Sequence, residues 1–376
     1  MTKPRITIVI TTINVPTLLE GYAENFERYG HLADTNAIIV GDRKTPHAAV
    51  KELAERLTQR GFSTEYMDLE AQKTYMSRFP ELDALIPYDS DNRRNIGYLK
   101  AVESGADIVV AVDDDNFVGN DDWYEGHSIV GQHVCLKTVS CSSGWFNPCQ
   151  MMETDPPGRT IYARGYPYSR RHVPNEEIYC ETEGRVVINA GLWLREPDVD
   201  SLTRLTEPVQ CTRLLEERIM LAPGTWAPIN TQNTAFHRDI LPAFYFVPIT
   251  GYIGGIIVER YGDIWAGLFA RKAIDHMGDR VTYGKPACDH RRNPHVLLKD
   301  LEQEFWAILL TESLWEAIYG WQLTATTYAE TYLEMADHLE RMEWTGVTLS
   351  SDVKAYFGRI ARAMRVWGNI TQALLG

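Results

Sequence analysis

Three consecutive aspartates, Asp113, Asp114 and Asp115, follow an unbroken apolar run at residues 108–112. Two carboxylates separated by one residue can both reach one hard divalent cation, which prefers oxygen ligands and leaves positions open for phosphate oxygens. Such a cation would stabilise the negative charge that develops on a diphosphate leaving group. Asp-rich turns that merely end a strand have the same composition, so the cluster alone leaves a metal site and a polar turn equally open.

The elements that precede the aspartates favour the ligand site. Short β-branched runs at residues 6–13 and 37–41 flank a segment with helical spacing of apolar residues, and the same alternation continues to the strand that ends at Val112. Helices alternating with fully apolar strands predict an α/β fold with a parallel sheet covered on both faces. Ligands of such sheets bind beyond the carboxyl ends of the strands, which is where the three aspartates lie.

The rest of the chain divides into two further parts. Short strands and turns rich in Gly, Pro and aromatic residues predict a mixed half, and three long amphipathic patterns follow it. We therefore expect one α/β domain over residues 1–300, with a parallel half at 1–120 and a mixed half at 121–300. Residues 301–376 form a predicted C-terminal helical region, suited to packing on the core or to joining subunits of a homo-oligomer or of a complex with related chains.

The composition narrows the class of partner. There are 37 Lys and Arg against 51 Asp and Glu, a formal net charge of −14, so the long-range field repels nucleic acid and none is expected as a partner. No segment approaches the roughly 18 continuous apolar residues of a transmembrane helix. The six cysteines include no C-x-x-C pair, which predicts reduced thiols, no zinc site and a cytoplasmic location. No G-x-G-x-x-G fingerprint follows the first strand, so neither flavin nor NAD is expected.

Several longer motifs carry a more specific signal. In chain order they are "VITTIN", "RRNIGYL", "VDDDNFV", "RGYPYS", "GLWLREPDVD", "NTAFHRDI", "ERYGDIWAGL" and "KPACDHRRNP". Together they resemble the reversibly glycosylated polypeptides, the plant UDP-arabinopyranose mutases, over roughly residues 6–310. The resemblance implies a GT-A-like (Rossmann-like) nucleotide-diphospho-sugar transferase fold, a UDP-sugar ligand and a divalent metal, Mn²⁺ or Mg²⁺. It also implies that residues 1–300 form the catalytic domain, with a nucleotide-binding half at 1–120 and a sugar or acceptor half at 121–300.

The resemblance also implies a metal site. Asp113 and Asp115 match the metal and diphosphate motif of the family, the D-x-D of nucleotide-sugar enzymes, and Asp114 is expected to point toward the sugar or the ribose. His290 matches a family histidine that follows the same proline, and it is the candidate third metal ligand.

A second group of residues is expected to hold the nucleotide. Thr11, Thr12 and Asp42 occupy strand ends that hold the nucleoside in such folds. Arg94 matches a family arginine near the diphosphate, and its place in the first turn of a helix adds the positive potential of the helix N-terminus.

Each residue expected to contact the sugar has an alternative structural role. Arg164 of "RGYPYS" matches the self-glycosylated arginine of the family. Since a protonated guanidinium is a poor nucleophile, we expect it first to be an electrostatic partner and second an acceptor. Its structural alternative is an ion pair that supports the turn. Asp263 is expected to contact sugar hydroxyls or to cap the helix that follows it. Asn189 and Asn233 are candidate sugar contacts, although asparagine is also a common turn residue.

Some positions depart from the family pattern. Gly262 replaces a second aspartate next to Asp263, and Asn189 with Ala190 replaces a Ser-His pair. These departures lie on the sugar side, so they put the identity of the sugar in doubt and leave the UDP-sugar prediction intact.

Three functions remain open at this stage. The leading hypothesis is a flavin-independent mutase that interconverts the pyranose and furanose forms of a UDP-sugar, with possible self-glycosylation at Arg164. The alternative is a glycosyltransferase that passes the sugar to an external acceptor. The third is a scaffold subunit that binds UDP without turnover.

Overall fold

A computed structural model describes residues 3–375, and its elements follow the sequence predictions closely in the first third and last fifth of the chain. The strands are β1 (Ile6–Thr12), β2 (Thr35–Gly41), β3 (Ser63–Met67), β4 (Ile108–Val112), β5 (Asn116–Val118), β6 (His133–Cys141), β7 (Met152–Asp155), β8 (Glu177–Arg195), β9 (Gln210–Leu214), β10 (Arg218–Leu221), β11 (Thr234–His237), β12 (Gly251–Ile253), β13 (Ile256–Val258) and β14 (Arg280–His290). The helices are α1 (Leu18–Tyr29), α2 (His47–Gln59), α3 (Leu69–Met76), α4 (Pro80–Asp83), α5 (Arg94–Glu103), α6 (Trp123–His127), α7 (Ser201–Thr206), α8 (Gly262–Met277), α9 (Leu297–Gly320), α10 (Tyr328–Arg341) and α11 (Ser350–Leu375).

A single large sheet positions the aspartates. Its strand order is β3-β2-β1-β4-β11-β8-β6-β10-β14-β5, and the first four strands run parallel. Ile10 is paired with Val112, so the residues that follow β1 and β4 lie side by side at one sheet edge. All five residues of β4 are buried, as expected for a strand covered on both faces. The predicted α/β fold with C-terminal helices is confirmed.

The second half of the sheet is mixed rather than parallel. β11 runs antiparallel to both β4 and β8, while the 19-residue β8 also pairs antiparallel with β6 and parallel with β14. β14 ends at His290, which is paired with Asn116 at the start of β5. This pairing brings the end of β14 close to the three aspartates that follow β4, residues 113–115, which are called the acidic turn below.

The three C-terminal helices pack on the sheet domain. The indole of Trp367 on α11 donates to the carbonyl of Leu241 over 3.1 Å, and the indole of Trp265 on α8 donates to Thr311 on α9 over 2.9 Å. One hydrophobic core includes both Val9 of the sheet and Trp367 of the last helix. Packing on the core was one of the two roles expected for these helices.

Two further sequence expectations can be compared with the structure. Within residues 3–375, no helix is long and apolar enough to cross a membrane. All six cysteines lie in the described range, and none forms a disulfide.

Close packing of α5 against the sheet depends on Gly97. A Cβ at this position would lie 2.4 Å from Val9 Cγ1 and 3.0 Å from Val40 Cγ2. We expect Gly97→Ala to lower the free energy of unfolding by about 1–3 kcal/mol, because the strands must move to accept the methyl group. Gly358→Ala is the matched control, since its Cβ would meet no atom within 4 Å in α11, and it should stabilise the protein by about 0.5–1 kcal/mol. Urea unfolding of both variants checks this prediction, and equal midpoints would contradict it.

Candidate active site

Two adjoining cavities lie at the carboxyl ends of the parallel strands. The larger encloses about 580 Å³ and the smaller about 160 Å³. Four side chains belong to the walls of both: Asp91, Asp113, Asp115 and His295. The acidic turn therefore stands at the junction of two compartments.

The larger cavity collects the residues expected to hold the nucleotide. Thr11, Thr12, Asp42 and Arg94 all line it. Asp114, which was expected to point toward the sugar or the ribose, lines the same cavity. The Thr12 hydroxyl donates to Asp114 Oδ2 over 2.6 Å, which ties the ends of β1 and β4 together. Asp42 accepts backbone N–H groups that follow β2 and precede α5, so this carboxylate joins the two loops of the cavity wall.

Arg94 fixes the first carboxylate of the acidic turn. Its guanidinium forms an ion pair with Asp113 and donates to the Thr11 hydroxyl over 3.2 Å and to the carbonyl of Thr231 over 2.8 Å. The arginine side chain is only 2% exposed. Burial raises the pKa of the Asp113 carboxyl to about 6; the charge of Arg94 opposes this shift, and the neighbouring charge of Asp115 adds to it.

His290 faces Asp115, the last carboxylate of the acidic turn. Its Nε2 lies 3.4 Å from Asp115 Oδ2, while its Nδ1 is 2.6 Å from the carbonyl of Glu196. Because a carbonyl only accepts, Nδ1 carries a hydrogen and Nε2 is the nitrogen directed to the acidic turn. Burial lowers the pKa of His290, but the hydrogen bond and charge of Asp115 outweigh burial and hold the pKa above its usual value.

The donor types of Asp113, Asp115 and His290 suit a hard divalent cation that a bound diphosphate would also coordinate. In the described part of the chain, no group of three or more His, Cys, Asp or Glu side chains is arranged so that it could hold a metal ion by itself. Asp113 and Asp115 line both cavities, and the Nε2 atom of His290 lies 3.4 Å from Asp115 Oδ2. Mg²⁺ and similar ions are commonly bound by one or two carboxylates together with phosphate oxygens and water.

Arg164 lies on the wall of the smaller cavity between two carboxylates. Nε and Nη2 donate to Asp198 over 2.9 and 3.1 Å, while Nη1 and Nη2 donate to Asp263 over 3.0 and 2.7 Å. Nη1 also donates to the carbonyl of Arg260. Since a guanidinium has five N–H groups, each of them has a partner.

The two ion pairs determine the charge state of Arg164. Burial lowers the pKa of Arg164, but the charges of Asp198 and Asp263 outweigh burial and hold the pKa well above its usual value. Burial raises the pKa of Asp198, and Arg164 in turn brings that pKa below its usual value. Arg164 is therefore a protonated anchor for two acidic side chains, which is the ion-pair role named above as its structural alternative.

Asn189 and Asn233 lie outside both cavities, contrary to their expected role as sugar contacts. Both side chains are fully buried. Asn189 donates to His127 Nδ1 over 3.1 Å and accepts from the Thr282 hydroxyl over 2.8 Å. Asn233 accepts from the indole of Trp123 over 3.0 Å and from His127 Nε2 over 3.1 Å. Their amides are occupied by protein groups, so we assign them a structural role.

Gly262 and Asp263 differ sharply in what surrounds them. A Cβ at Gly262 would lie 2.7 Å from Phe246 Cε1 and 2.8 Å from the carbonyl of Val247, so the position has no room for the aspartate common in the family. Asp263 lines the smaller cavity, and Tyr261 rather than Asp263 occupies the N-cap position of α8.

Several cavity residues were not singled out from the sequence. They are Asp91, Asp198, Arg204, Gln232, Arg260, Arg292 and His295. Three of them stand inside the motifs quoted above, namely Asp198, Arg260 and Arg292. Gln232 stands in "TQNTAF", residues 231–236, one position before the motif "NTAFHRDI". Their chemical types were visible in the sequence, but the direction of each side chain was not.

Comparison with known proteins gives one family. The profile of the family described as "Reversibly glycosylated polypeptide" matches residues 1–374. The chain is 30% identical over 282 residues to UDP-arabinopyranose mutase 1 of Arabidopsis thaliana, covering 73% of this chain and 70% of the relative. It is 29% identical over 378 residues to UDP-arabinopyranose mutase 3 of the same plant, covering 98% and 91%.

Solved structures are more distant. Glucosyl-3-phosphoglycerate synthase from Mycobacterium tuberculosis, in complex with Mn²⁺, UDP-glucose and phosphoglyceric acid, is 13% identical. The superposition covers 85% of this chain and 82% of that chain, with a TM-score of 0.39. A likeness of this degree carries no argument about the site.

Proposed function

Because this chain belongs to the reversibly glycosylated polypeptide family, we propose that it is a metal-dependent, flavin-independent mutase that interconverts the pyranose and furanose forms of a UDP-sugar. The family relatives named for UDP-arabinopyranose support arabinose or a similar sugar as the substrate. The observation that carries the proposal is the junction of two cavities at Asp113 and Asp115. UDP occupies the larger cavity in this proposal, and the sugar occupies the smaller one.

The acidic turn holds the metal in this proposal. Asp113 and Asp115, with His290 as a further ligand, would bind Mn²⁺ or Mg²⁺ at the junction of the cavities. When bound, the ion supplies positive charge that stabilises the diphosphate. Arg94 keeps Asp113 in position and adds a second positive charge close to the diphosphate.

The smaller cavity stabilises the positive charge that develops on the sugar. When the bond between the anomeric carbon and the diphosphate oxygen breaks, its electrons go to UDP and the sugar becomes cation-like. Asp198 and Asp263, both held by Arg164, present negative charge to that sugar. A different hydroxyl oxygen of the sugar then bonds to the anomeric carbon, the bond between that carbon and the former ring oxygen breaks, and the hydroxyl proton passes to the former ring oxygen. The same diphosphate oxygen takes the sugar back, so atoms and charge balance.

Arg164 acts through its two aspartates rather than as a sugar acceptor. Its five N–H groups are occupied and its side chain is 8% exposed, which leaves no lone pair for attack and little access. The occupied guanidinium therefore does not favour self-glycosylation at Arg164.

A ring-form assay tests the function. We expect UDP-arabinopyranose, incubated with the protein and Mn²⁺, to yield UDP-arabinofuranose that chromatography separates from the substrate. Chelation of the metal by EDTA should abolish conversion. If no UDP-sugar changes ring form while radiolabel passes to a second molecule, the glycosyltransferase alternative holds instead. UDP binding without either reaction would indicate the scaffold role.

The raised pKa of Asp113 predicts a pH dependence of metal binding. An acidic group with a raised pKa is protonated more readily in the folded protein, so the metal-free protein should lose stability as pH rises through about 6. Mn²⁺ needs the ionised carboxylate, and its affinity should fall by up to about tenfold for each pH unit below 6. We expect Mn²⁺ to raise the melting temperature clearly at pH 7 and weakly at pH 5.

The Asp113→Asn variant is the control for this measurement, because it cannot titrate at that position. Equal melting shifts with Mn²⁺ at pH 5 and pH 7 in the unmodified protein would contradict the assignment of Asp113 as a metal ligand with a raised pKa.

A further inference from the structure

Gln232 is a polar side chain of the smaller cavity that has no assigned role. It lies in the loop before β11 and lines the cavity together with Asp198 and Asp263. Its carboxamide oxygen is buried and has no hydrogen-bond partner among residues 3–375. A buried acceptor without a partner has lost its hydrogen bonds to water and gained none in return. Its position beside a cavity therefore points to a ligand that supplies the missing hydrogen bond.

The loop that carries Gln232 is held on both sides. The backbone N–H of Gln232 donates to Asn230 Oδ1 over 3.1 Å, and the amide of Asn230 donates to Asp198 Oδ2 over 2.7 Å. The carbonyl of the preceding Thr231 accepts from Arg94 over 2.8 Å. The backbone of Gln232 is thus tied to Asp198 in one direction and to Arg94 in the other, which fixes the origin of its side chain relative to the cavity.

The arginines that line the cavity with Gln232 already have protein partners. Arg260 donates to Glu304 over 3.0 Å, Arg292 donates to Asp300 over 3.0 Å, and Arg164 is fully occupied. None of these guanidinium groups donates to the carboxamide oxygen of Gln232, so a ligand that binds this oxygen breaks no existing ion pair.

The neighbouring amide gives the contrast. Asn233 has φ 55° and is fully buried, and both ends of its carboxamide bond to protein groups. Gln232 stands one position earlier and faces the cavity instead. The two amides of "TQNTAF" therefore have separate roles, one in the protein core and one at the cavity.

We propose that Gln232 binds a ring hydroxyl of the sugar in the smaller cavity and so takes part in selecting the sugar. A carboxamide both donates and accepts, as a sugar hydroxyl does, and it can turn about its terminal torsion to suit the ligand. The proposal rests on the proposed function in one respect, namely that the smaller cavity takes the sugar of a UDP-sugar. It does not require that the sugar change its ring form.

Binding measurements on Gln232→Leu test the proposal. Titration calorimetry with Mn²⁺ compares UDP with UDP-arabinopyranose for the unmodified protein, for Gln232→Leu and for Gln59→Leu, a control on the exposed end of α2. We expect Gln232→Leu to keep its UDP affinity within about twofold and to lose about tenfold in UDP-arabinopyranose affinity, the effect of about one lost hydrogen bond. Gln59→Leu should change neither affinity.

The outcomes separate the two proposals. Unchanged UDP-arabinopyranose affinity in Gln232→Leu would overturn the role of Gln232, and so would an equal loss for UDP and UDP-arabinopyranose, since that result indicates a structural residue. If the unmodified protein binds the nucleotide sugar but does not change its ring form, the mutase proposal fails while the selective loss in Gln232→Leu still supports a sugar contact.

Discussion

The Asp115→Asn variant should lose about 10²–10³-fold in the rate of ring interconversion and should no longer gain stability from Mn²⁺ in the presence of UDP. Asp115 is the better target of the two metal-side aspartates because its partner is His290, whereas removal of the Asp113 charge leaves the buried Arg94 without its ion pair. The amide has nearly the same size as the carboxylate, so the fold should be retained.

Turnover of UDP-arabinopyranose and the melting temperature with UDP and Mn²⁺ measure this effect. Asp352→Asn, on the exposed surface of α11, is the matched control and should behave as the unmodified protein. Full turnover by Asp115→Asn would contradict a role for this carboxylate in catalysis. Reduced turnover with an intact Mn²⁺ effect would place the carboxylate in catalysis but not in metal binding.

The Arg164→Met variant should lower the free energy of unfolding by about 3–5 kcal/mol, because it leaves Asp198 and Asp263 as buried carboxylates without a counter-charge. The loss should shrink as pH falls toward 5, since unpaired buried carboxyl groups take up protons at higher pH. In the unmodified protein the pKa of Asp198 is lowered, so the stability of that pair should persist until the pH falls below the usual carboxyl range.

Urea unfolding at pH 7 and pH 5 measures the effect of Arg164→Met. Arg213→Met breaks an exposed ion pair with Glu153 and should leave the stability nearly unchanged. The double variant Arg164→Met, Asp198→Asn should recover part of the loss, because one of the two unpaired charges is removed. A double variant no more stable than Arg164→Met would contradict the charge argument.

The same site allows a direct test for self-glycosylation. After incubation with radiolabelled UDP-arabinose and Mn²⁺, we expect no label on the peptide that contains Arg164, since every N–H of its guanidinium has a partner. Label on that peptide would show that the network around Arg164 opens during turnover.

The elements near the site were predictable because their signals are local. The apolar run of β4, the helical spacing of α5 and the amphipathic patterns of α9, α10 and α11 each repeat within a few residues. The mixed half of the sheet was not predictable in the same way. The pairing of β8 with four other strands joins segments far apart in the chain, and no local period encodes such partners.

The site shows the same division residue by residue. The sequence motifs named Thr11, Asp42, Arg94 and Asp113 as candidates, and the structure places all four on the wall of one cavity. The motif "TQNTAF" led to Asn233, whereas its neighbour Gln232 is the residue that faces the smaller cavity. Adjacent side chains of similar chemistry differ only in direction, which depends on the backbone path.

The sequence by itself determined which chemical groups lie at the carboxyl ends of the parallel strands. A buried apolar strand followed by Asp113 must place that polar residue at the edge of the sheet. Only the tertiary structure decided which charges meet. Arg164 reaches Asp198 across 34 residues and Asp263 across 99. Both pairs exist because the segment after β8 and the first turn of α8 fold back beside the loop that carries Arg164. Periodicity records which face of an element is buried, whereas the partner of a buried charge depends on the path of the whole chain.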